Sequence, residues 1–259
     1  MIGSCLHICQ VSRPDCAFAV GTLSRHSATP GKQHMDAAKD LIAYMFSTRH
    51  WCIQYKRSQI GNTPQIFERS WHPDDDVVKP ATRTIEQRLV SSEPTPTANS
   101  PDTFIDSDLG GDKITRKSTS GLVIMMNGGP IAWNSRLQKL CAQSSAEAEI
   151  YAVVESVKEA LHIKLLCEES GIREPGLPMT IWEDNNACIQ MGHNLRGSNA
   201  AKHYELRNEH IHENNIEFSR VDTSKQLADG FTKPLPLPAF RTFRDLVMVN
   251  TQHADSAST

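Results

Sequence analysis

Thr103-Phe104-Ile105-Asp106-Ser107-Asp108 has the composition of a short β-strand, yet it puts an acidic residue where an apolar one is expected. Alternate side chains of a strand point to opposite faces, so Phe104, Asp106 and Asp108 share one face and Ile105 and Ser107 the other. An ionised carboxylate among packed apolar neighbours costs several kcal/mol unless it is paired or binds a metal. Taken alone, the segment is either an edge strand with both carboxylates in water or the first wall of a site.

The segments that follow describe a compact α/β unit. A polar loop, Gly110 to Ser120, leads to a second strand, Leu122-Val123-Ile124-Met125-Met126. Asn127-Gly128-Gly129 is a hairpin turn signal, and Ile131-Ala132-Trp133 forms a third strand antiparallel to the second. The longest helix begins at Ser145, read as its hydroxyl cap, with Glu147 and Glu149 near its start. Ile150, Val153, Val154, Val157, Leu161 and Leu165 form its apolar stripe. Glu149 is expected at the rim of the sheet. Met179 to Trp182 is a fourth strand ending in Glu183-Asp184-Asn185-Asn186, with a short helix from Ala187 to Met191. After a polar helical segment around Lys202 to Glu213, Ile216 to Val221 is the fifth strand. Ser224 is read as capping a helix, Gln226 to Phe231, in which Leu227, Ala228 and Phe231 pack and Asp229 faces elsewhere.

Asp106, Glu149, Asp184 and Asp229 thus come from four different elements, too many for helix capping alone. Brought together they would repel one another unless divalent cations lay between them. Hard oxygen ligands in that number suit Mg2+, in two ions, with Mn2+ as the alternative. The chemistry expected of such a centre is two-metal phosphodiester hydrolysis. A zinc site at His203, Glu209, His210 and His212 is disfavoured, since residues two apart on a helix do not share a face.

The chain has 259 residues, 39% of them hydrophobic, a formal net charge of −3 and seven scattered cysteines without a Cys-x-x-Cys. This excludes a strongly basic nucleic-acid binder but not an enzyme that grips phosphates locally. The cysteines favour a reducing compartment, and Cys5 and Cys9 read as buried small residues. No apolar run reaches the ~18 residues of a membrane span, and no signal peptide is read at Met1 to Ser12. A soluble, cytoplasmic protein without a membrane partner is expected. Residues 1–58 read as helices (Ala17 to Leu23, and a face of Met35, Ala38, Leu41, Ile42 and Met45) followed by a strand, Trp51 to Tyr55. They show a packing face but no convergent polar set. Residues 59–102, with Asp74-Asp75-Asp76 and the proline-rich run to Pro101, read as a linker that is disordered in part. The domain proper covers 103–250, and 251–259 is a disordered tail.

Several motifs resemble the ribonuclease H domain at the C-terminal end of copia-type (Ty/copia) retrotransposon Pol polyproteins. They are Asp106-Ser107-Asp108 with Gly111-Asp112, Thr115 to Gly121, Asn127 to Trp133, and Ser144-Ser145-Ala146-Glu147-Ala148-Glu149-Ile150-Tyr151. Asp184-Asn185, Lys202-His203, Gln226 to Asp229 and Phe231-Thr232-Lys233-Pro234-Leu235 continue the series. Ile2-Gly3-Ser4, Arg13-Pro14-Asp15, Leu23-Ser24-Arg25 and His34 to Lys39 resemble the tail of the copia reverse transcriptase. The resemblance covers most of residues 2–247 apart from the linker.

The resemblance implies a ribonuclease H-like α/β fold, with a mixed five-stranded sheet flanked by helices and a helical reverse-transcriptase remnant before it. It implies Mg2+-dependent endonucleolytic cleavage of the RNA strand of an RNA/DNA hybrid. The family's four metal-binding carboxylates fall on Asp106, Glu149, Asp184 and Asp229. Asp106 would bridge both ions, Glu149 and Asp184 bind one, and Asp229 the other. Ser144, Ser145 and Asn186 fall where the family touches the hybrid backbone or minor groove, a recognition of shape and 2′-hydroxyls. Arg116 is taken with them from the basic loop Lys113 to Lys117, which reads equally as a solvated hairpin or a phosphate contact. Partners would be the hybrid and the remainder of the polyprotein, above all the reverse-transcriptase palm, in cytoplasm or virus-like particles. No Tyr-x-Asp-Asp motif occurs, so polymerase activity is not expected. The chain departs from the family at Leu109, usually aromatic, at Glu183, usually small, and in a shortened segment between His203 and Ile216. The histidine of cellular ribonucleases H has no counterpart between Val221 and Ser224. The altered Leu109 and Glu183, with the acidic balance, support a second expectation, a relic that keeps the fold without catalysis and is at most a nucleic-acid or protein-binding module.

Overall fold

The computed structural model describes residues 1–55, 100–194 and 215–252. Its centre is a five-stranded sheet of β2 (Asp102–Ser107), β3 (Thr119–Met126), β4 (Gly129–Leu137), β5 (Met179–Glu183) and β6 (Ile216–Arg220). Their spatial order is β4-β3-β2-β5-β6. β2, β3 and β4 are antiparallel neighbours, whereas β5 and β6 run parallel to β2. The mixed five-stranded sheet and its flanking helices make this a ribonuclease H-like α/β fold. The hairpin between β3 and β4 turns on Asn127 and Gly128, both at positive φ (53° and 82°), as a two-residue turn of matching twist requires.

Both faces of the sheet are covered, so strand alternation sorts side chains into two cores. Ile105, Leu122, Ile124 and Ile181 pack under α4 (Ser145–Glu169) with Ile150, Val153, Val154, Val157 and Ala160, and Cys188 of α5 (Asn186–Asn194) joins them. Phe104, Val123 and Trp182 face the other way, into α6 (Asp229–Thr232) and α7 (Leu237–Val247), through Phe231, Phe243 and Val247. The same cluster takes in Cys5 and Cys9 of α1 (Ile2–Ser12), Val20 of α2 (Ala17–Ser24) and Leu41 of α3 (Lys32–Ser47). The N-terminal helices and the sheet therefore share one apolar core. Trp133 Nε1 donates to the Cys9 carbonyl at 3.0 Å, and Tyr55 to that of Pro130 at 2.8 Å. The short β1 (Trp51–Cys52) pairs with β7 (Val249–Asn250), close to the end of the described chain.

Several expectations need correction. The cap of α4 is Ser144, not Ser145: its Oγ accepts from Glu147 N, and the Glu147 carboxylate accepts from Gln143 N at 2.7 Å. The cap thus lies one residue earlier than expected, with the carboxylate reaching back to the amide of the residue before the cap instead of the cap's own. Leu165 is exposed (52%), because the core-facing line of α4 runs 150, 153, 157, 160 and then 164 and 167. Lys164 is buried there, its ammonium donating to Asn215 Oδ1 at 2.8 Å. Asp222, not Ser224, caps the turn after β6, and the helix carrying Asp229 spans only Asp229–Thr232. Trp51 to Tyr55 narrows to a two-residue strand. The N-terminal helices do hold a convergent polar set. Arg13 forks onto Asp15 at 2.9 and 2.8 Å and reaches Thr48 at 2.8 Å, while Tyr44 donates to Asp15 at 2.7 Å. α7 was not foreseen at all. The linker beyond Tyr55 up to Asn99, the helical segment Lys202 to Glu213 with His203, Glu209, His210 and His212, and most of the tail lie outside the described residues.

Candidate active site

The acidic residues converge where β2 and β5 end. Asp106 is 4% exposed on β2, opposite Gly121 of β3. The missing side chain at Gly121 lets α6 come down on the strand: a Cβ there would lie 2.6 Å from Thr232 Cγ2 and 2.8 Å from the Ala228 carbonyl. Thr232 is thereby placed to donate its hydroxyl to Asp106 Oδ2. Lys233 follows, with its ammonium 2.7 Å from Asp229 Oδ1 and 3.9 Å from Asp106 Oδ2. The loop bearing Asp229 is tied to the strand ends by buried Gln226, whose Nε2 donates to the Ile105 carbonyl at 2.9 Å.

Glu149 enters from the first turns of α4 and is buried (5% exposed), not at the rim of the sheet. Ser107 stands on the α4 face of β2, its hydroxyl without a hydrogen-bond partner, and the charges of Glu183 and Asp106 both bear on the Glu149 carboxyl. Glu183 is fully buried at the end of β5. It stands two residues past Ile181, hence on the α4 side of the sheet. Its Oε1 accepts from the amides of Asp184 and Asn185 at 3.0 and 3.1 Å. Asp184 follows in a half-buried turn, and Asn185 Oδ1 accepts from Ala187 N at 3.0 Å to open α5.

Burial and mutual repulsion hold protons on this cluster. Burial first, and then the Asp229 charge, push Asp106 up to about 7, against hydrogen bonding from Thr232 and the charge of Lys233. Burial, Asp184 and Asp106 push Glu183 up to about 8, although two backbone amides favour its ionised form. Glu149 is pushed up to about 10 by burial, then by Glu183 and Asp106. Burial also opposes charge on Lys233, but Asp229 and Asp106 outweigh it and raise its pKa. Among the described residues, no three His, Cys, Asp or Glu side chains stand so as to hold a metal ion together as placed. In kind, the donor set fits a hard divalent cation. It consists of carboxylates, and Glu149 Oε2 and Glu183 Oε2 are buried without a hydrogen-bond partner.

No family model matches the chain. It is 27% identical over 250 residues to the "Retrovirus-related Pol polyprotein from transposon TNT 1-94" of Nicotiana tabacum, a match covering 95% of this chain and 16% of that one. The corresponding protein from transposon RE1 of Arabidopsis thaliana is 27% identical over 252 residues, covering 96% of this chain and 14% of that one. The chain is thus similar in sequence to a part of retrotransposon Pol polyproteins. It spans about a sixth of the length of these Pol relatives. RNase H1 from the halophilic archaeon Halobacterium salinarum NRC-1 overlaps 61% of the chain at 10% identity with a TM-score of 0.33, a likeness that adds nothing to the topology itself.

The other expected site residues stand outside the buried cluster. Ser144 and Ser145 are exposed at the N-terminus of the helix carrying Glu149, and Asn186 is exposed in the first turn after Asp184. Arg116 is exposed at φ 58° in the loop before β3, its amide held by the Asp112 carbonyl at 2.8 Å. Asp112 itself pairs with Arg25 of the N-terminal segment at 3.2 Å. Leu109 is 53% exposed. Sequence reasoning missed Glu183, Thr232, Lys233 and Gln226 as members of the site. A signal existed for Glu183: Met179, Ile181 and Glu183 alternate along one buried face, the same anomaly that marked Asp106.

Proposed function

We propose that the chain is a divalent-metal-dependent nuclease of the ribonuclease H type, cleaving the RNA strand of RNA/DNA hybrids within a larger Pol polyprotein. The observation that supports this reading is the pair of buried carboxylates, Asp106 and Glu149, near the ends of β2 and β5, with the half-buried Asp184 and Asp229 on neighbouring elements bearing on them electrostatically. A fold retains mutually repelling, half-satisfied carboxylates at a cost, and the usual compensation is a function performed there. Asp106, Glu149, Asp184 and Asp229 would hold the ions. Bound Mg2+ would supply an activated water and charge neutralisation at the scissile phosphate.

The chain's own residues prepare that chemistry. Thr232 fixes the Asp106 carboxylate, Glu183 holds the Asp184-Asn185 turn by its amides, and Gln226 holds the Asp229 loop against β2. Ser144, Ser145 and Asn186, exposed at two helix N-termini, would meet phosphate or 2′-hydroxyl groups of the hybrid, with Arg116 as a further phosphate contact. The reverse-transcriptase palm would be the intramolecular partner of this unit. One observation favours the relic reading instead: Lys233 already spans Asp229 and Asp106.

The deciding experiment is cleavage of a labelled RNA/DNA hybrid by the whole 259-residue chain with Mg2+, alongside the Asp106→Asn protein and circular dichroism. The whole chain is needed because its N-terminal helices share the core of the sheet. Cleavage abolished by Asp106→Asn in a folded protein is the expected result. A folded wild type that never cuts would refute the nuclease reading and leave the relic.

A further inference from the structure

The loop that leaves β2 just after Asp106 and returns as β3 carries exposed Lys113 and Arg116, and its apolar side chains, Leu109 and Ile114, are exposed as well. Polar bonds therefore set its shape. Asp108 turns inward: its Oδ1 accepts from Thr119 N, and a Cβ at Gly111 would overlap its Oδ2. Asp112 Oδ1 accepts from the amides of Ile114 and Thr115 at 3.0 and 2.8 Å, and the Asp112 carbonyl accepts from Arg116 N at 2.8 Å. The turn so formed holds Arg116 in the left-handed region at φ 58°, which a residue other than glycine keeps only where the surrounding bonds impose it. The Cys141 thiol, donating to the Thr115 carbonyl at 3.4 Å, ties this turn to the segment that leads into Ser144.

The remaining oxygen of Asp112 is met from the N-terminal helices. Arg25 directly follows α2, and α2 is fixed on β4: Val20 lies in the shared core, and a Cβ at Gly21 would stand 3.3 Å from the Ser135 carbonyl. Arg25 Nη1 lies 3.2 Å from Asp112 Oδ2, and its Nη2 donates to Thr119 Oγ1 at 3.3 Å, on the residue whose amide Asp108 holds. The side chains of the pair are only 19% and 13% exposed, so salt screens it less than a surface pair. Neither residue belongs to the apolar cores; what the pair fixes is the loop.

We infer that Arg25 is a positioning residue for hybrid binding, which holds the β2–β3 loop through Asp112 in the shape that presents Arg116 to a backbone phosphate. This rests on the nuclease reading for the identity of the ligand. Arg25 itself is engaged by Asp112 and Thr119 and leaves the phosphate to Arg116, so the N-terminal segment sets how firmly the loop grips without meeting the hybrid there. The distinction is measurable. Two independent phosphate contacts add in free energy, whereas a residue acting through Arg116 has no effect once Arg116 is removed.

The probe is a fluorescein-labelled RNA/DNA hybrid, titrated with the whole chain in EDTA and read by anisotropy, with cleavage kinetics in Mg2+ on the same samples. Arg25→Met should weaken binding about tenfold, the effect of losing one charge-assisted hydrogen bond. It should raise KM and leave kcat within about twofold of wild type. It should have no further effect in an Arg116→Ala background, and Arg25→Lys, which keeps the charge but not the fork, should recover only part of the affinity. Wild-type affinity in either Arg25→Met or Arg116→Ala, or losses that add in the double variant, overturns the inference. Should Arg25→Met fail to fold, Asp112→Asn, which keeps Oδ1 for its two amides and removes the charge, must show the same Arg116-dependent loss; wild-type affinity there overturns the inference. Cleavage separates this from the nuclease reading. Arg25-dependent binding by a chain that never cuts upholds the positioning role and refutes the nuclease. A cutting wild type whose binding and KM ignore Arg25 does the reverse, and a wild type that neither binds nor cuts refutes both.

Discussion

Gly121→Ala is a test of how the site is built, because the glycine lies opposite Asp106 in the β2–β3 register. The backbone there is not in the left-handed region, so the cost of a methyl is contact and not conformation. The added Cβ would lie 2.6 Å from Thr232 Cγ2, 2.8 Å from Ala228 O and 2.9 Å from Phe231 Cβ. Ordinary contact begins near 3.5 Å, so α6 must lift by about 1 Å. The Ala228 carbonyl cannot turn aside, since it accepts from Phe231 N at 2.9 Å to close that helix. Overpacking of this kind costs about 1–3 kcal/mol. Opening the Thr232–Asp106 hydrogen bond, which leaves a buried carboxylate less satisfied, adds about 1–3 kcal/mol. We therefore expect urea denaturation to show a loss of about 2–6 kcal/mol. Cleavage should fall by up to about 100-fold, since Asp106 and Asp229 are no longer in register. Thr232→Ser removes the nearest carbon and keeps the hydroxyl; combined with Gly121→Ala it should restore part of both losses. A Gly121→Ala protein within about 0.5 kcal/mol of wild type would refute the close-packing account.

Two further outcomes follow from buried charge. Asp106 is raised from 3.8 to about 7, so the metal-free fold retains a proton that the unfolded chain releases. Its contribution to stability is present below about pH 4 and is lost as pH rises to 7, at about 1.4 kcal/mol per unit; the urea midpoint of wild type relative to Asp106→Asn should fall across that range, and a constant difference would contradict the burial described here. In the N-terminal helices, Asp15→Ala leaves the Arg13 guanidinium, 5% exposed, without its bidentate partner. It should cost about 3–5 kcal/mol in the same denaturation assay, and a loss below about 1 kcal/mol would show that water replaces the carboxylate.

The sequence made the strands of the central sheet legible because their signals are local: alternation in Phe104 to Asp108, the Asn127-Gly128 turn, and the apolar stripe of α4 as far as Val157. It also made Asp106, Glu149, Asp184 and Asp229 stand out, since a carboxylate at the end of an apolar element is anomalous wherever the element goes. Glu183 was noticed only as a departure from a family pattern. Alternation with Met179 and Ile181 marks it as anomalous, but that this face meets α4 and Glu149 is a tertiary fact, which a parallel strand buried on both sides hides in its sequence. α7 was missed although Phe240, Phe243 and Val247 recur at helical spacing, because Pro236 and Pro238 suggest a break; proline is in fact tolerated in the first turn, where no intrahelical donor is lost.

By itself, then, the sequence determined the fold class and the identity of four acidic residues set apart from their surroundings, since both depend on periodicity and on the cost of a charge beside apolar neighbours. Tertiary structure alone decided that Cys9, Val20 and Leu41 complete the core under Phe104 and Trp182. It alone decided that Gly121 admits Thr232 and Lys233 to Asp106, and that Glu183 and Glu149 each keep an oxygen without a partner. Those are contacts between segments tens of residues apart. No local propensity encodes them, because the energy that selects them exists only once the two faces of the sheet have closed.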